Sequence, residues 1–157
     1  MCCSAKPATG AVIMASFEIS GLGNLDDAFR RISDIPDAVA QEALGKMSEL
    51  AAGKIRAQGE AMGVRDPASD VHILDRIKPT KAKKGKDGWY QDVTFSGTRT
   101  RNGIRTRNAE IAFVQEYGKR SQQARPFVGT AMEANADAIT DAGWEIVGDW
   151  METEFEK

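Results

Sequence analysis

The strongest structural signal in the chain is its last 32 residues, PFVGTAMEANADAITDAGWEIVGDWMETEFEK (126–157). Their apolar residues recur three and four positions apart, which is typical of one face of a helix. Pro126 suits the first turn of such a helix. About 30 helical residues span about 45 Å at 1.5 Å per residue. We therefore expect the chain to end in a long amphipathic helix whose apolar face packs on the rest of the protein.

The same stretch is acidic, with eight acidic residues and one basic residue. Five of the acids follow one another four positions apart, namely Glu133, Asp137, Asp141, Glu145 and Asp149. Like charges at this spacing cost a few tenths of a kcal/mol per pair in an isolated helix. Three interpretations stay open: a solvated outer face, a surface that meets a basic surface of another copy, or the lining of a channel for a polyanion.

A second long helix is predicted earlier in the chain. Pro36 can open it, and apolar residues then recur at helical spacing until about Ala61, with Gly63 as the stop signal. A shorter helix is expected at 24–32, behind the N-cap residue Asn24.

The segment between the two long helices favours β-structure. Residues 78–84 and 89–95 read as two strands around a Gly-containing turn. Alternate residues of the second strand share one face, namely Trp89, Gln91, Val93 and Phe95. We expect that face to pack against the long helices, while 109–117 fits either a helix or a strand. The sequence thus predicts an α+β fold, with a small antiparallel sheet packed with two long helices, the C-terminal one amphipathic and acidic.

The middle of the chain is basic, since residues 76–125 hold 13 basic and four acidic residues. A polar run from Thr98 to Asn108 carries four arginines, namely Arg99, Arg101, Arg105 and Arg107. Asn102-Gly103 in its middle is a tight-turn signal, so the run is either a hairpin tip or a mobile loop. We consider it a candidate subunit or partner interface. Nucleic-acid contact is the weaker alternative, because no interleaved aromatics or helix-turn-helix pattern accompany the arginines.

Length and composition bound the class of protein. The chain has 157 residues, of which 41% are hydrophobic and 28% charged, as in an ordinary globular domain. It contains no apolar stretch of about 18 residues and no secretory signal, so we expect no membrane partner and synthesis in the cytosol. Residues 1–13 are aperiodic and precede Met14, which is a plausible native start. We interpret 1–13 as a disordered tail and 14–157 as one domain.

Residues for catalysis or metal binding are scarce. The two cysteines, Cys2 and Cys3, are adjacent and lack the spacing of a zinc site or a disulfide framework. His72 is the single histidine, and we expect it to be a surface or half-buried side chain rather than a base. A phosphate-binding loop and a nucleophile elbow are both absent from the sequence. We therefore expect no enzyme, no cofactor, no metal and no small-molecule substrate.

Two neighbouring segments carry a resemblance to a known family. Ile111–Gly118 reads IAFVQEYG, and Ala124–Val128 reads ARPFV and opens the last helix. This combination resembles the head-tail joining family of long-tailed phages and prophages, which are small neck and tail-completion proteins. The family pattern is aromatic-apolar-x-Glu-aromatic-Gly, then Ala-Arg-Pro-Phe and small residues, here 129–131.

The N-terminal part is similar to the same family. Phe17–Leu22 precedes a first helix, and Ile35-Pro36 opens an Ala-rich one, so the resemblance spans about residues 14–151 and favours Met14 as the start. Lys119 departs from the family pattern, which has threonine there. Residues 66–77 match its Pro-x-x-Thr-Gly-x-Leu segment only loosely.

The resemblance implies a structural virion protein. It would join or complete the phage tail at its head-proximal end, as a ring of six copies in this family, between tail tube and head connector or neck proteins. DNA would be passing cargo. The location would be the tail–head junction of the virion, and the host cytoplasm during assembly. Tail completion, neck ring and tail terminator all stay open, and the alternative is a phage-encoded nucleic-acid-binding accessory protein that uses the Arg99–Arg107 loop.

The residues of this motif have expected structural roles. Pro126 would set the helix start, and Phe127 and Phe113 would anchor the loop to the core. Tyr117 and Gly118 belong to the same structural motif.

Two charged residues of the motif are candidate interface residues. The Arg125 guanidinium could clamp Glu116 or the carbonyls of the preceding turn. Whether Arg125 and Glu116 form an internal pair or a subunit contact stays open at the level of sequence.

Overall fold

The computed structural model describes residues 35–65, 72–101 and 103–156. Three helices lie within these residues: α1 (Asp37–Ala61), α2 (Asn108–Tyr117) and α3 (Phe127–Phe155). A short 3-10 turn, Leu74–Arg76, precedes six strands: β1 (Ile77–Pro79), β2 (Lys83–Gly85), β3 (Gly88–Tyr90), β4 (Val93–Phe95), β5 (Thr98–Arg101) and β6 (Ile104–Arg107). The predicted α+β class is confirmed.

Helix α1 begins after Pro36 and ends at Ala61, as predicted. Pro36 has φ −57°, which is close to the helical value that the proline ring imposes. At the other end Gly63 has φ +65°, and the N–H of Val64 donates to the carbonyl of Gly59 at 2.9 Å. This left-handed glycine terminates the helix by satisfying carbonyls of its last turn.

Helix α3 packs along α1, and the 3-10 turn contacts α1 near Gly59. Leu74 and Phe127 are fully buried there. A Cβ at Gly59 would lie 2.5 Å from a Leu74 methyl carbon, so only glycine allows this approach. Around this point the core contains nine buried residues, namely Ala52, Ile55, Val64, Ile73, Leu74, Ile77, Ala112, Phe127 and Ala131.

The predicted strands around the Gly-containing turn form one hairpin, Ile77–Phe95, with an interrupted ladder. Strands β1 and β4 pair with Ile77 opposite Phe95, and β2 and β3 pair with Lys84 opposite Trp89. Between these ladders, the N–H of Thr80 donates to the carbonyl of Asp92 at 2.7 Å. The predicted inward face is half-buried at all four positions, and Val93 and Phe95 pack against the core.

The basic run forms a hairpin, β5–β6, so the mobile-loop alternative is wrong. Thr98 pairs with Arg107, and Arg99 with Thr106. Gly103 has φ +77°, as the tight turn requires. The expected single small sheet is three separate two-stranded antiparallel ladders in the described residues.

Residues 109–117, for which both helix and strand were open, lie in helix α2, which begins at Asn108. Strand β6 runs directly into α2, and the carbonyl of Gly97 accepts the N–H of Asn108 at 3.0 Å. The expected tail at 1–13, the strand-like segment 17–20 and the helix at 24–32 lie outside the described residues.

Candidate functional site

Glu116 caps the last helix from within the chain. Its Oε2 accepts the N–H of Val128 at 2.8 Å, and its Oε1 accepts the N–H of Gly129 at 2.9 Å. The residue is 9% exposed, and the first turn of α3 contains no acid of its own. The first N–H groups of a helix lack intrahelical acceptors and carry partial positive charge. Glu116 therefore supplies both an acceptor and a negative charge at the start of α3.

Arg125 fixes the loop before α3 to the end of α1. Its Nη1 donates to the carbonyl of Gly63 at 2.7 Å, and its backbone N–H donates to the carbonyl of Gln115 at 2.7 Å. Of the two alternatives for Arg125, the clamp on Glu116 is wrong, because Glu116 faces the start of α3. Arg125 instead binds a backbone carbonyl, but that of Gly63 in the turn after α1 rather than one of the preceding turn. Both interface candidates make contacts within the chain.

Three further motif residues, Gly118, Phe127 and Pro126, have the expected structural roles. Gly118 has φ +75°, and a Cβ there would lie 2.8 Å from the carbonyl oxygen of Gln122 and the amide nitrogen of Ala124. Any other residue would therefore strain the loop. Phe127 is fully buried and packs edge-on against Phe95, with ring centroids 5.9 Å apart. Pro126 immediately precedes helix α3, as expected.

The two other aromatic residues of the motif are exposed. Phe113 is 62% exposed and Tyr117 is 69% exposed, and their ring centroids are 4.7 Å apart. The expectation that Phe113 anchors the loop to the core is wrong. In helix α2 the inward positions are Ala112 and Glu116, which leaves Phe113 and Tyr117, each one residue further on, on the outer face.

A shallow depression of about 300 Å³ lies beside these rings. Its walls come from α2, from Phe95 on β4, and from Val128 and Gly129 at the start of α3. Phe113 and Tyr117 are among the residues that line it. We call Phe113, Tyr117 and this depression the α2 surface.

The hairpin does not gather its arginines on one surface. Arg99 is half-buried and lines a cavity of about 510 Å³ together with His72 and Lys119. Arg105 and Arg107 are exposed, and Arg105 donates from Nε to the hydroxyl of Thr98 at 3.1 Å. Successive residues of a strand point to opposite faces of the hairpin. Arg105 pairs with Thr100 and Arg107 pairs with Thr98, whereas Arg99 pairs with Thr106 between them. The side chains of Arg105 and Arg107 therefore lie on the face opposite to that of Arg99. Arg101 pairs with Ile104 at the hairpin end.

The acidic face of α3 is exposed at all five predicted positions. Trp144, which is 61% exposed, lies among these acids, three residues after Asp141 and seven after Asp137. We call Trp144, Asp137 and Asp141 the α3 surface. Sequence reasoning did not single out Trp144, although its position outside the apolar stripe of the helix is a signal that could have found it.

His72 is buried, so the expectation of a surface or half-buried side chain is wrong. Its Nδ1 accepts the N–H of Leu74 at 3.3 Å. Burial lowers the pKa of His72 below its ordinary value of 6.5, and the positive charge of Arg65 lowers it further. The imidazole is therefore in its neutral form, in which Nδ1 can accept this hydrogen bond and help to hold the segment after α1.

Comparisons with protein-family models, with curated proteins and with solved structures found no match. Among residues 35–65, 72–101 and 103–156, no group of three or more His, Cys, Asp or Glu side chains is arranged to hold a metal ion. None of the helices in the described part of the chain has the length and apolar character of a membrane span.

Proposed function

We propose that this protein is a structural virion component that completes or joins a phage tail at its head-proximal end by forming an oligomeric ring between tail tube and head connector. The observation that carries the proposal is that the protein exposes surfaces of opposite charge. The β5–β6 hairpin exposes arginines, the α2 surface exposes two aromatic rings, and the acidic face of α3 exposes Trp144. Such surfaces fit a protein that works by association with copies of itself and with neighbours.

The motif behind the family resemblance also supports the proposal, because its residues act together. Glu116 caps α3, Gly118 makes the turn, and Phe127 fills the core. Arg125 connects the loop to the end of α1. The motif is thus one folding unit that holds the start of α3 and presents the outer face of α2.

The basic hairpin is the proposed contact with the tail tube or a neighbouring copy. Ile104 near its tip is 69% exposed, and Arg105 and Arg107 are exposed on the other side of the hairpin. An apolar tip with flanking arginines is a common composition for a protein interface.

The first test is the native mass of the purified protein by light scattering at several concentrations, alone and with tail tubes of the same phage. We expect a ring-sized mass, alone or on the tubes. The proposal would be refuted if the protein is a monomer at every concentration and does not bind the tubes.

The second test asks whether the hairpin takes part in joining. The variant Arg105→Ser with Arg107→Ser should impair joining of tails to heads while the protein stays folded. A matched control is Lys83→Ser with Lys86→Ser, which removes two exposed charges from the other hairpin. Equal joining by wild type and the arginine variant would exclude the hairpin as the contact.

The alternative function, nucleic-acid binding, is favoured by the exposed arginines of β6 together with exposed lysines on the Ile77–Phe95 hairpin, namely Lys78, Lys81, Lys83, Lys84 and Lys86. Phosphate binding releases counterions, so affinity for duplex DNA should then fall steeply with salt. Removing Arg105 and Arg107 should reduce the slope of log affinity against log salt by about two. A salt-independent or undetectable affinity would exclude this alternative.

A further inference from the structure

The α2 and α3 surfaces each expose aromatic side chains to solvent. Phe113, Tyr117 and Trp144 are all more than half exposed. Aromatic side chains dominate interface energetics because they bury a large area at a small entropic cost. Three such residues on two helices therefore indicate surfaces that are covered in the assembled state.

The two surfaces differ in shape. The α2 surface has a depression of about 300 Å³, which is large enough for one aromatic side chain. The α3 surface projects Trp144 from the middle of a helix. Trp144 is 16 residues from Val128 at the depression, or about 24 Å along the helix, so it lies far from the depression of its own chain.

The two surfaces also differ in charge. Arg105 and Arg107 lie within three residues of the start of α2, and Lys119 and Arg120 lie within three residues of its end, all four of them exposed. They outnumber Glu110, the exposed acid of α2 itself. The acids that surround Trp144, including Asp137, Asp141 and Glu145, are exposed as well. Opposite charges attract the two surfaces to each other, whereas like charges oppose pairing of either surface with its own kind.

We propose that the α2 surface of one copy binds the α3 surface of a second copy, with Trp144 in the depression beside Phe113 and Tyr117. This inference rests on the proposed function and names the contact between subunits. Because the two surfaces are different, an open assembly keeps one unused α2 surface at one end and one unused α3 surface at the other. Such head-to-tail contacts close into a ring or extend into a filament, depending on the rotation per copy.

The test uses two variants that each destroy one surface. Trp144→Ala removes the projecting ring, and Phe113→Ala with Tyr117→Ala removes the two exposed rings that line the depression. Each should weaken self-association at least about tenfold, measured by light scattering and sedimentation. Tyr90→Ala is the matched control, since Tyr90 is an exposed aromatic residue on the other hairpin. Circular dichroism and the melting temperature should be unchanged, because all the altered side chains are exposed.

A mixture of the two variants separates head-to-tail from symmetric contact. The Trp144→Ala protein keeps its α2 surface, and the Phe113→Ala/Tyr117→Ala protein keeps its α3 surface. Each should be monomeric alone, and the mixture should form dimers that grow no further. Absence of dimers in the mixture would overturn the inference.

Charge exchange gives a second, independent readout. Arg105→Glu with Arg107→Glu should weaken association, and mixing with an Asp137→Lys/Asp141→Lys protein should restore it. A lack of restoration would contradict the charge pairing.

The failure of this inference differs from failure of the proposed function. Wild type and the Trp144→Ala protein could assemble equally well, alone or on tail tubes. The proposed contact between the α2 and α3 surfaces would then be refuted, while the proposed ring would stand. If wild type neither self-associates nor binds tubes, the proposed function itself fails.

Discussion

The two hairpins of this protein have similar basic composition and opposite relations to the rest of the fold. In the Ile77–Phe95 hairpin, Asp37 of α1 accepts hydrogen bonds from Lys84 at 2.9 Å and from the Trp89 indole at 2.7 Å. Arg56 of α1 donates to the carbonyl of Ile77 at 3.3 Å. We call this the clamped hairpin.

In the Thr98–Arg107 hairpin, by contrast, a basic side chain bonds to the hairpin itself. Its Arg105 donates to Thr98, and Ile104 is largely exposed. We call it the projecting hairpin. Basic charge alone therefore does not identify an interface, because Lys84 forms an ion pair with Asp37 of the same chain whereas Arg105 and Arg107 are exposed to solvent.

The largest effect is expected where the clamped hairpin joins the core. Phe127→Ala removes a fully buried ring that packs on Phe95 of β4. The free energy of unfolding should fall by about 3–5 kcal/mol, measured by urea denaturation. Ile104→Ala at the end of the projecting hairpin is the control and should change stability by less than about 0.5 kcal/mol. Similar losses in both variants would contradict the distinction between the hairpins.

A smaller effect is expected at the joint between α2 and α3. Glu116→Gln keeps the shape of the side chain but replaces one acceptor oxygen by an NH₂ group that faces a backbone N–H. Stability should fall by about 1–3 kcal/mol in thermal or urea unfolding. Glu133→Gln, on the exposed face of α3, should leave stability unchanged or slightly raised, because it relieves repulsion. An unchanged free energy of unfolding in Glu116→Gln would show that the cap contributes little.

Stability should also depend on pH through His72. Its pKa is lower in the folded protein than the ordinary value of 6.5, so the unfolded chain takes up a proton first as the pH falls. The free energy of unfolding should therefore decrease from about pH 6.5 downward through the folded pKa, and stay level above pH 6.5. Urea unfolding between pH 7.5 and 5 should show this slope in wild type and lose it in His72→Gln. An equal slope in both proteins would rule out His72 as its source.

The smallest stability effects are expected for exposed groups. Asp37→Asn should weaken the clamped hairpin slightly, because its bonds from Lys84 and Trp89 are exposed. Hydrogen bonds from these two groups lower the pKa of Asp37 below 3.8, so its contribution is present above that pH and is lost as the pH falls through the folded pKa. Arg105→Ser with Arg107→Ser should leave the unfolding curve unchanged. If this double variant lost more stability than Asp37→Asn, the two arginines would stabilise the fold rather than serve an interface.

The long helices could be predicted from the sequence because their signals are local and repeated. Pro36 and Gly63 delimit α1, and Pro126 precedes a periodic pattern of about 30 residues. Helix α2 could not be assigned, since ten residues contain too few turns to distinguish a helix from a strand. With its phase unknown, the general rule that aromatic residues are buried placed Phe113 wrongly.

The internal contacts of the motif are beyond sequence reasoning for another reason. Glu116 caps a helix that starts eleven residues later, and Arg125 reaches Gly63, which is 62 residues away. Such partners depend on how the elements pack, and no periodicity records them. Burial of His72 has the same origin, because one histidine carries no pattern.

The acidic face of α3 gives the protein two responses to salt of opposite sign. Within one copy, acids four residues apart repel one another, and Glu152 and Glu156 lie at the negative end of the helix dipole. Added salt screens this repulsion, so it should raise the melting temperature of the monomer. Between copies, the same ions weaken attraction to the basic residues around α2. A buffer chosen to keep the purified protein stable would thus be one in which it assembles poorly, and dilution into low salt would favour assembly.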